Sequence, residues 1–207
     1  MKTPLRFPRI KLRIAGIVVA GICLFVLAPS LRAQDMAVNL DPAATKIDFT
    51  LAATMHTVHG TFKLKSGHIL FDPKTGKASG AVIVDATNAN TDNTSRDKKM
   101  HAEILESAKF PELLFTPTQE KGAISPQGAS QVEVSGIFRL HGQDHPMTLT
   151  ISVTAGAGGQ LQASTKFTVP YVEWGLKNPS TFILRVSNTV DVDVQASGQI
   201  SAASLAH

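Results

Sequence analysis

The chain has 207 residues, with 20 Lys and Arg against 16 Asp and Glu. Its formal net charge of +4 would favour nucleic acid or an anionic surface as a partner, but residues 1–33 hold six of the basic residues and none of the acidic ones. The remainder has 14 basic and 16 acidic residues, so its charge argues against binding to nucleic acid.

The N-terminal segment has the pattern of a signal peptide. A basic stretch at residues 2–13 precedes an uncharged apolar run at residues 14–28. This run is shorter than the roughly 20 residues that a membrane-spanning helix needs. We therefore expect a signal peptide at residues 1–33 with cleavage after Ala33, a single domain at residues 34–207, no stable membrane span after cleavage, and a periplasmic or secreted location. A retained anchor is the alternative.

Cysteine use adds one restriction. Cys23 is the only cysteine and lies within the expected signal peptide. The mature chain would then have no thiol for a disulfide, for nucleophilic catalysis or for a sulfur-ligated metal.

From Thr45 onward, apolar residues alternate with polar ones at a period of two, which is typical of half-buried β-strands. Turn-forming residues separate the runs at short intervals, so we expect antiparallel neighbours. About eight such strands can bury their apolar faces in a sandwich or in a closed barrel, and the pattern alone favours neither. The apolar positions of the clearest runs are Ile47, Phe49, Leu51; Val58, Phe62, Leu64; Val132, Val134, Phe138, Leu140; Met147, Leu149, Ile151, Val153; Leu161, Ala163, Phe167, Val169; and Val190, Val192, Val194.

Residues 94–109 interrupt the β pattern. Met100, Ile104 and Ala108 are spaced by four, which predicts an amphipathic helix. The run from Thr94 to Asp97 fits a capping box, and Pro111 follows the helix as a stop signal.

Three segments resemble the YceI-like family, whose members are polyisoprenoid-binding, lipocalin-like periplasmic proteins. They are residues 91–115, with Arg96-Asp97 and Phe110-Pro111 at the matching positions; residues 134–149, with Leu140-His141-Gly142; and residues 170–177. The last segment departs from the family's usual Arg-x-x-Phe-Gly run, and residues 36–42 lack the family's early tryptophan. The resemblance implies an all-β fold with a short helical insertion, an eight-stranded antiparallel lipocalin-like β-barrel that encloses the isoprenoid tail of a lipid or quinone.

We expect two groups of site residues in such a barrel. The polar candidates for contact with a headgroup at the mouth are Arg96, Asp97, His101, Tyr171 and Trp174, although Arg96 and Asp97 could serve only as a helix cap and a surface ion pair. An alternative for the apolar group is a core filled by its own side chains. The apolar candidates for the lining are Phe49, Leu51, Phe62, Phe115, Val134, Phe138, Leu149, Ile151 and Phe167.

The histidines do not indicate a metal site. His56 and His59 would point to opposite faces of one strand, and neither they nor His141 and His145 have a third ligand at a suitable spacing. We expect no metal, and no cofactor beyond a bound isoprenoid lipid or quinone as ligand.

No sequence motif for catalysis is present. The leading hypothesis is a non-enzymatic exported protein that binds an isoprenoid lipid for storage, transport or sequestration. One alternative is a barrel enzyme of the isomerase or hydratase type that uses inward-facing His56 with Asp85. The other is an exported structural protein without a ligand.

Overall fold

Nine strands and one helical segment make up the part of the chain that the computed structural model describes, residues 35–125 and 128–203. The predicted signal peptide and its cleavage site lie outside these residues. The strands are β1 (Met36–Leu40), β2 (Lys46–Ala52), β3 (Thr57–Phe71), β4 (Ala78–Asn90), β5 (Glu112–Gly122), β6 (Gly128–Leu140), β7 (Gln143–Ala155), β8 (Gln160–Val169) and β9 (Val190–Ala202). Between β4 and β5, helix α1 (Thr94–Lys99) continues as a π-helical turn (Met100–Ile104), and a 3-10 turn (Ala157–Gly159) precedes β8.

The sheet closes on itself as an antiparallel barrel. Its strand order is β1-β3-β2-β9-β8-β7-β6-β5-β4, and β4 pairs with β3 to complete the ring. β1 and β2 both pair with β3 on one side and with β9 on the other. They therefore lie one after the other in a single strand position of the barrel: Leu40 of β1 lies opposite Gly67 of β3, and Ile47 of β2 lies opposite Phe62 of β3. The barrel therefore has eight strand positions, which confirms the predicted eight-stranded fold. The sequence pattern did not predict β1.

The period-two pattern places the apolar side chains inside the barrel. Val132 and Val134 of β6 are 3% and 9% exposed, whereas Gln131 and Glu133, which alternate with them, face solvent. Leu149 and Val153 of β7 lie in the same apolar cluster. The hydrophobic effect on these inward faces is the main stabilising contribution to the barrel.

The two ends of the barrel differ in their connections. Short turns at residues 72–77 and 156–159 lie at one end. The helical segment and the long connection at residues 170–189 lie at the other, because alternate connections of an antiparallel barrel emerge at the same end. We call this second end the mouth.

The helical segment begins and ends differently from the prediction. Asn93, not Thr94, is the N-cap: its side-chain oxygen accepts from the Arg96 N–H at 2.9 Å. Asp97 does not complete a capping box, because its carboxylate accepts from the Thr91 N–H at 3.0 Å. The predicted helix at residues 94–109 stops at Ile104, and Glu106 at φ 45° turns the chain away before β5.

Among the described residues, no helix has both the length and the apolar character needed to cross a bilayer.

Candidate functional site

The interior of the barrel contains two adjoining cavities. The inner cavity, of about 220 Å³, lies toward the end with the short turns. Its wall is apolar apart from Glu120, Ser164 and Thr165, and the apolar side chains are Val38, Leu40, Ile47, Phe62, Ile69, Phe71, Ala78, Val82, Val84, Leu113, Phe115, Ile124, Val132, Val134, Phe138, Met147, Leu149, Ile151, Val153, Leu161, Ala163, Phe167, Val192, Val194 and Ala196.

The mouth cavity, of about 380 Å³, lies beneath the helical segment and the connection at residues 170–189. Its volume falls within the roughly 300–1,000 Å³ of small-molecule sites. Four side chains, those of Phe62, Leu113, Phe138 and Val192, border both cavities. The two spaces therefore meet in the middle of the barrel.

All nine predicted lining residues border one or both cavities. Phe49 and Leu51 face the mouth cavity, and Phe62 and Phe138 face both. Phe115, Val134, Leu149, Ile151 and Phe167 face the inner cavity. Their position agrees with the prediction, and their contact with a ligand stays a prediction.

Arg96 borders the mouth cavity and is held by Thr91, the residue that directly follows β4. Its Nε donates to Thr91 Oγ1 at 2.8 Å and its Nη2 donates to the Thr91 carbonyl at 2.9 Å. Asp97 accepts from the same threonine and is not among the cavity-lining side chains. Thr91 is 5% exposed, so these bonds satisfy a buried polar residue while they orient the guanidinium.

Tyr171 also borders the mouth cavity, at the start of the connection between β8 and β9. It is 5% exposed, and its hydroxyl donates to the Ser187 carbonyl at 2.7 Å. Burial raises the pKa of this phenol above its ordinary value. The side chain is therefore a neutral part of the cavity wall. Its hydrogen bond links the start of the connection to its end.

His101 and Trp174 do not border the cavities. The two ring nitrogens of His101 are within 2.9 Å of Ser107 Oγ and of the Ala89 carbonyl, so this side chain fastens the helical segment to β4. The indole of Trp174 stacks on His145 beside the mouth. A role of either residue with a headgroup stays a prediction.

Sequence reasoning missed several residues of the site. The connection at residues 170–189 contributes Leu176, Pro179, Leu184 and Val186 to the mouth cavity, although this segment has no strand periodicity. Glu120 of β5 borders the inner cavity, where strict alternation would turn it outward. No signal in the sequence indicates either placement.

Two further features of the described residues concern a metal site and the pair of His56 with Asp85. Within residues 35–125 and 128–203, no group of three potential ligand side chains could hold a metal ion. His56 borders the mouth cavity, but Asp85 does not border either cavity. The Asp85 carboxylate accepts from Thr87 and Asn88, and these bonds lower its pKa. The prediction that His56 and Asp85 form a shared site inside the barrel is therefore wrong.

Relatives of known sequence match part of this chain. Protein YceI from Escherichia coli is 33% identical over 94 residues, which are 44% of this chain and 47% of that protein. The chain thus spans about half the length of that relative in the alignment. A UPF0312 protein from Pseudomonas putida is 29% identical over 151 residues, which are 68% of this chain and 73% of that protein.

Solved structures share the fold. A polyisoprenoid binding domain from Saccharophagus degradans, implicated in plant cell wall breakdown, superposes with a TM-score of 0.61 at 16% identity, covering 79% of this chain and 98% of that one. BcnA from Burkholderia cenocepacia superposes with a TM-score of 0.62 at 14% identity, covering 76% and 98% of the two chains. At these identities the comparison establishes the barrel fold. The model of the YceI-like domain matches residues 39–197, and the chain therefore belongs to the YceI-like domain family.

Proposed function

We propose that this protein is an exported lipid-binding protein that holds a polyisoprenoid or an isoprenoid quinone inside its barrel, for storage, transport or sequestration, without catalysing a reaction. The observation that carries the proposal is the pair of adjoining apolar cavities. One structural neighbour is named as a polyisoprenoid binding domain, which supports the same ligand class.

The cavity walls suit a flexible hydrocarbon chain. Burial of apolar surface stabilises a complex by about 25 cal/mol per Å². A chain that buries several hundred Å² would gain on the order of 10 kcal/mol before the costs of association. No charge pairing is needed for tight binding of the tail.

The mouth offers polar groups to a headgroup. Arg96, Lys99 and His56 border the mouth cavity, whereas no Lys, Arg or His side chain of residues 35–125 and 128–203 borders the inner one. A ligand that enters tail first would thus leave its headgroup near these polar side chains. The N-terminal segment, with basic residues followed by an apolar run, supports export. N-terminal sequencing of the mature protein would test cleavage after Ala33.

The proposal is tested by expressing the chain with its own N-terminus, purifying the exported form, extracting it with organic solvent and identifying bound molecules by mass spectrometry. We expect an isoprenoid in stoichiometric amount. Phe138→Asp, which puts a charge beside both cavities, should abolish the copurification, whereas Gln131→Asp on the outer face of the same strand should not. An empty extract that also fails to take up quinones or polyprenols on incubation would refute the proposal.

A further inference from the structure

One buried polar residue inside the barrel has a side-chain atom without a partner. Among the described residues, the buried polar or charged ones are Thr91, Ser107 and Glu120. Thr91 and Ser107 are hydrogen-bonded to Asp97 and His101. Glu120 is 8% exposed, and its Oε1 has no hydrogen-bond partner.

A β-bulge turns Glu120 into the barrel. Pro117 of β5 lies opposite Gly136 of β6, but Gln119 lies opposite the next residue, Ser135, so one extra residue is inserted between them. Beyond the bulge the alternation is shifted by one position. Glu120 then faces inward opposite buried Val134, instead of facing solvent.

The backbone at this position is fixed by the turn between β3 and β4. The Glu120 N–H donates to the Gly76 carbonyl at 2.7 Å. Gly76 has φ 69°, and a Cβ there would clash with the Glu120 carbonyl oxygen. The turn therefore approaches β5 closely at this point, and the carboxyl has a defined place in the wall.

Glu120 has no complementary charge beside it in the described part of the cavity wall. Among the described residues it is the only titratable one that borders the inner cavity, and the other polar residues in that wall are Ser164 and Thr165. Burial raises the pKa of the carboxyl, which favours its neutral form. A neutral carboxyl offers one O–H donor together with acceptor sites, and the ionised form offers acceptors only.

We propose that Glu120 is an inner hydrogen-bonding subsite, and that the barrel also accepts chain alcohols with the hydroxyl end inserted first, which is the reverse of the orientation of a ligand whose headgroup stays at the mouth. The inference rests on the proposed function, because it assumes that an apolar chain occupies the barrel. A hydroxyl both donates and accepts, so it pairs with the carboxyl in either protonation state. The subsite satisfies a polar atom that the apolar wall otherwise leaves unpaired.

The test compares two probes of equal chain length, 1-decanol and 1-chlorodecane, on the wild type and on Glu120→Leu. We expect the substitution to raise the dissociation constant of 1-decanol at least fivefold and to leave that of 1-chlorodecane unchanged or lower. Glu120→Gln, which keeps hydrogen-bonding capacity, should restore most of the affinity for 1-decanol. Glu133→Leu, on the exposed face of β6, is the matched control and should alter neither constant.

A second measurement does not depend on a variant. Infrared difference spectra of the wild type should show a shift of the carboxyl band on addition of 1-decanol but not of 1-chlorodecane. Equal band shifts for both probes in the wild type, or a dissociation constant of 1-decanol that Glu120→Leu leaves unchanged, would overturn the subsite while leaving lipid binding intact. If the wild type binds neither probe and no isoprenoid, the proposed function itself fails.

Discussion

The indole of Trp174 lies flat on the imidazole of His145, with ring centroids 4.1 Å apart and ring planes within 4° of parallel. Trp174 is the only tryptophan of the chain, and its ring centroid is 5.9 Å from that of Phe138. Because Phe138 borders both cavities, the fluorescence of this single indole is a probe of the barrel interior.

Replacement of His145 by alanine should expose one face of the indole. We expect a red shift of the Trp174 emission maximum and a loss of about 1 kcal/mol in the free energy of unfolding, the usual contribution of an aromatic pair. Emission spectra and urea titration measure the two effects. His59→Ala, at an exposed position of β3, is the control, and an unchanged emission maximum in His145→Ala would contradict the stacking.

A larger side chain in the inner cavity should weaken ligand binding without lowering the melting temperature. Ala163 borders this cavity, so Ala163→Phe places a ring where a ligand tail would lie. We expect the affinity for geranylgeraniol, measured by Trp174 fluorescence, to fall at least tenfold, with a melting temperature that is unchanged or higher, since a filled cavity gains contacts. Ala129→Phe, on the exposed face of β6, should bind like the wild type. Equal affinity in both variants would show that the tail does not reach this cavity.

Loss of the Tyr171 hydroxyl should destabilise the connection between β8 and β9 at the mouth. In Tyr171→Phe, the Ser187 carbonyl loses its donor, and we expect the free energy of unfolding to fall by about 1 kcal/mol. Hydrogen exchange should become faster at residues 181–187 and stay unchanged in β6 and β7. Uniform acceleration in all of these segments would indicate a general destabilisation instead.

The same tyrosine predicts a dependence on alkaline pH. Its pKa in the folded protein is raised above the ordinary value of 10.0, so the unfolded state ionises first as the pH rises. The wild type should therefore lose stability above pH 10, and this component of the loss should be missing in Tyr171→Phe. Denaturation at pH 9 and pH 11 measures the difference between the two proteins.

Glu120 predicts a dependence on pH in the acidic to neutral range. Burial raises the pKa of its carboxyl in the folded state above the ordinary 4.5, so the folded protein holds this proton at pH values where the unfolded chain has lost it. The contribution of Glu120 to stability is thus greatest below pH 4.5 and decreases as the pH rises through the folded-state pKa. Glu120→Gln has no such penalty, and we expect its melting temperature to exceed that of the wild type at pH 7.5 but not at pH 4.

One control variant accompanies that measurement. Glu133→Gln, at an exposed position, should follow the wild type at both pH values. A melting temperature of Glu120→Gln that differs from the wild type by the same amount at pH 4 and at pH 7.5 would contradict the burial of the carboxyl.

The period-two pattern was sufficient to predict the inward position of eight of the nine lining residues, because each of the eight lies on a strand whose alternation is regular up to that residue. Phe138 and Phe167 are examples. The closed barrel, and the segment that contains the ninth residue, Phe115, came from the resemblance to the YceI-like family. Glu120 was not predictable in this way, since a bulge two residues earlier reverses the faces and leaves no mark in the composition. The cap at Asn93 was missed for a similar reason: Thr94 and Asn93 are both good caps, and only the backbone geometry decides between them.

The closure of the barrel also has a kinetic consequence. Every strand position is paired on both sides, so no seam in the wall could separate without breaking a ladder of backbone hydrogen bonds. The segments at the mouth are joined by individual bonds between loops, among them those between Thr54 and Arg185. The residence time of a bound molecule would accordingly be set by the opening of residues 170–189, and substitutions there would change the rate of exchange more than the final affinity.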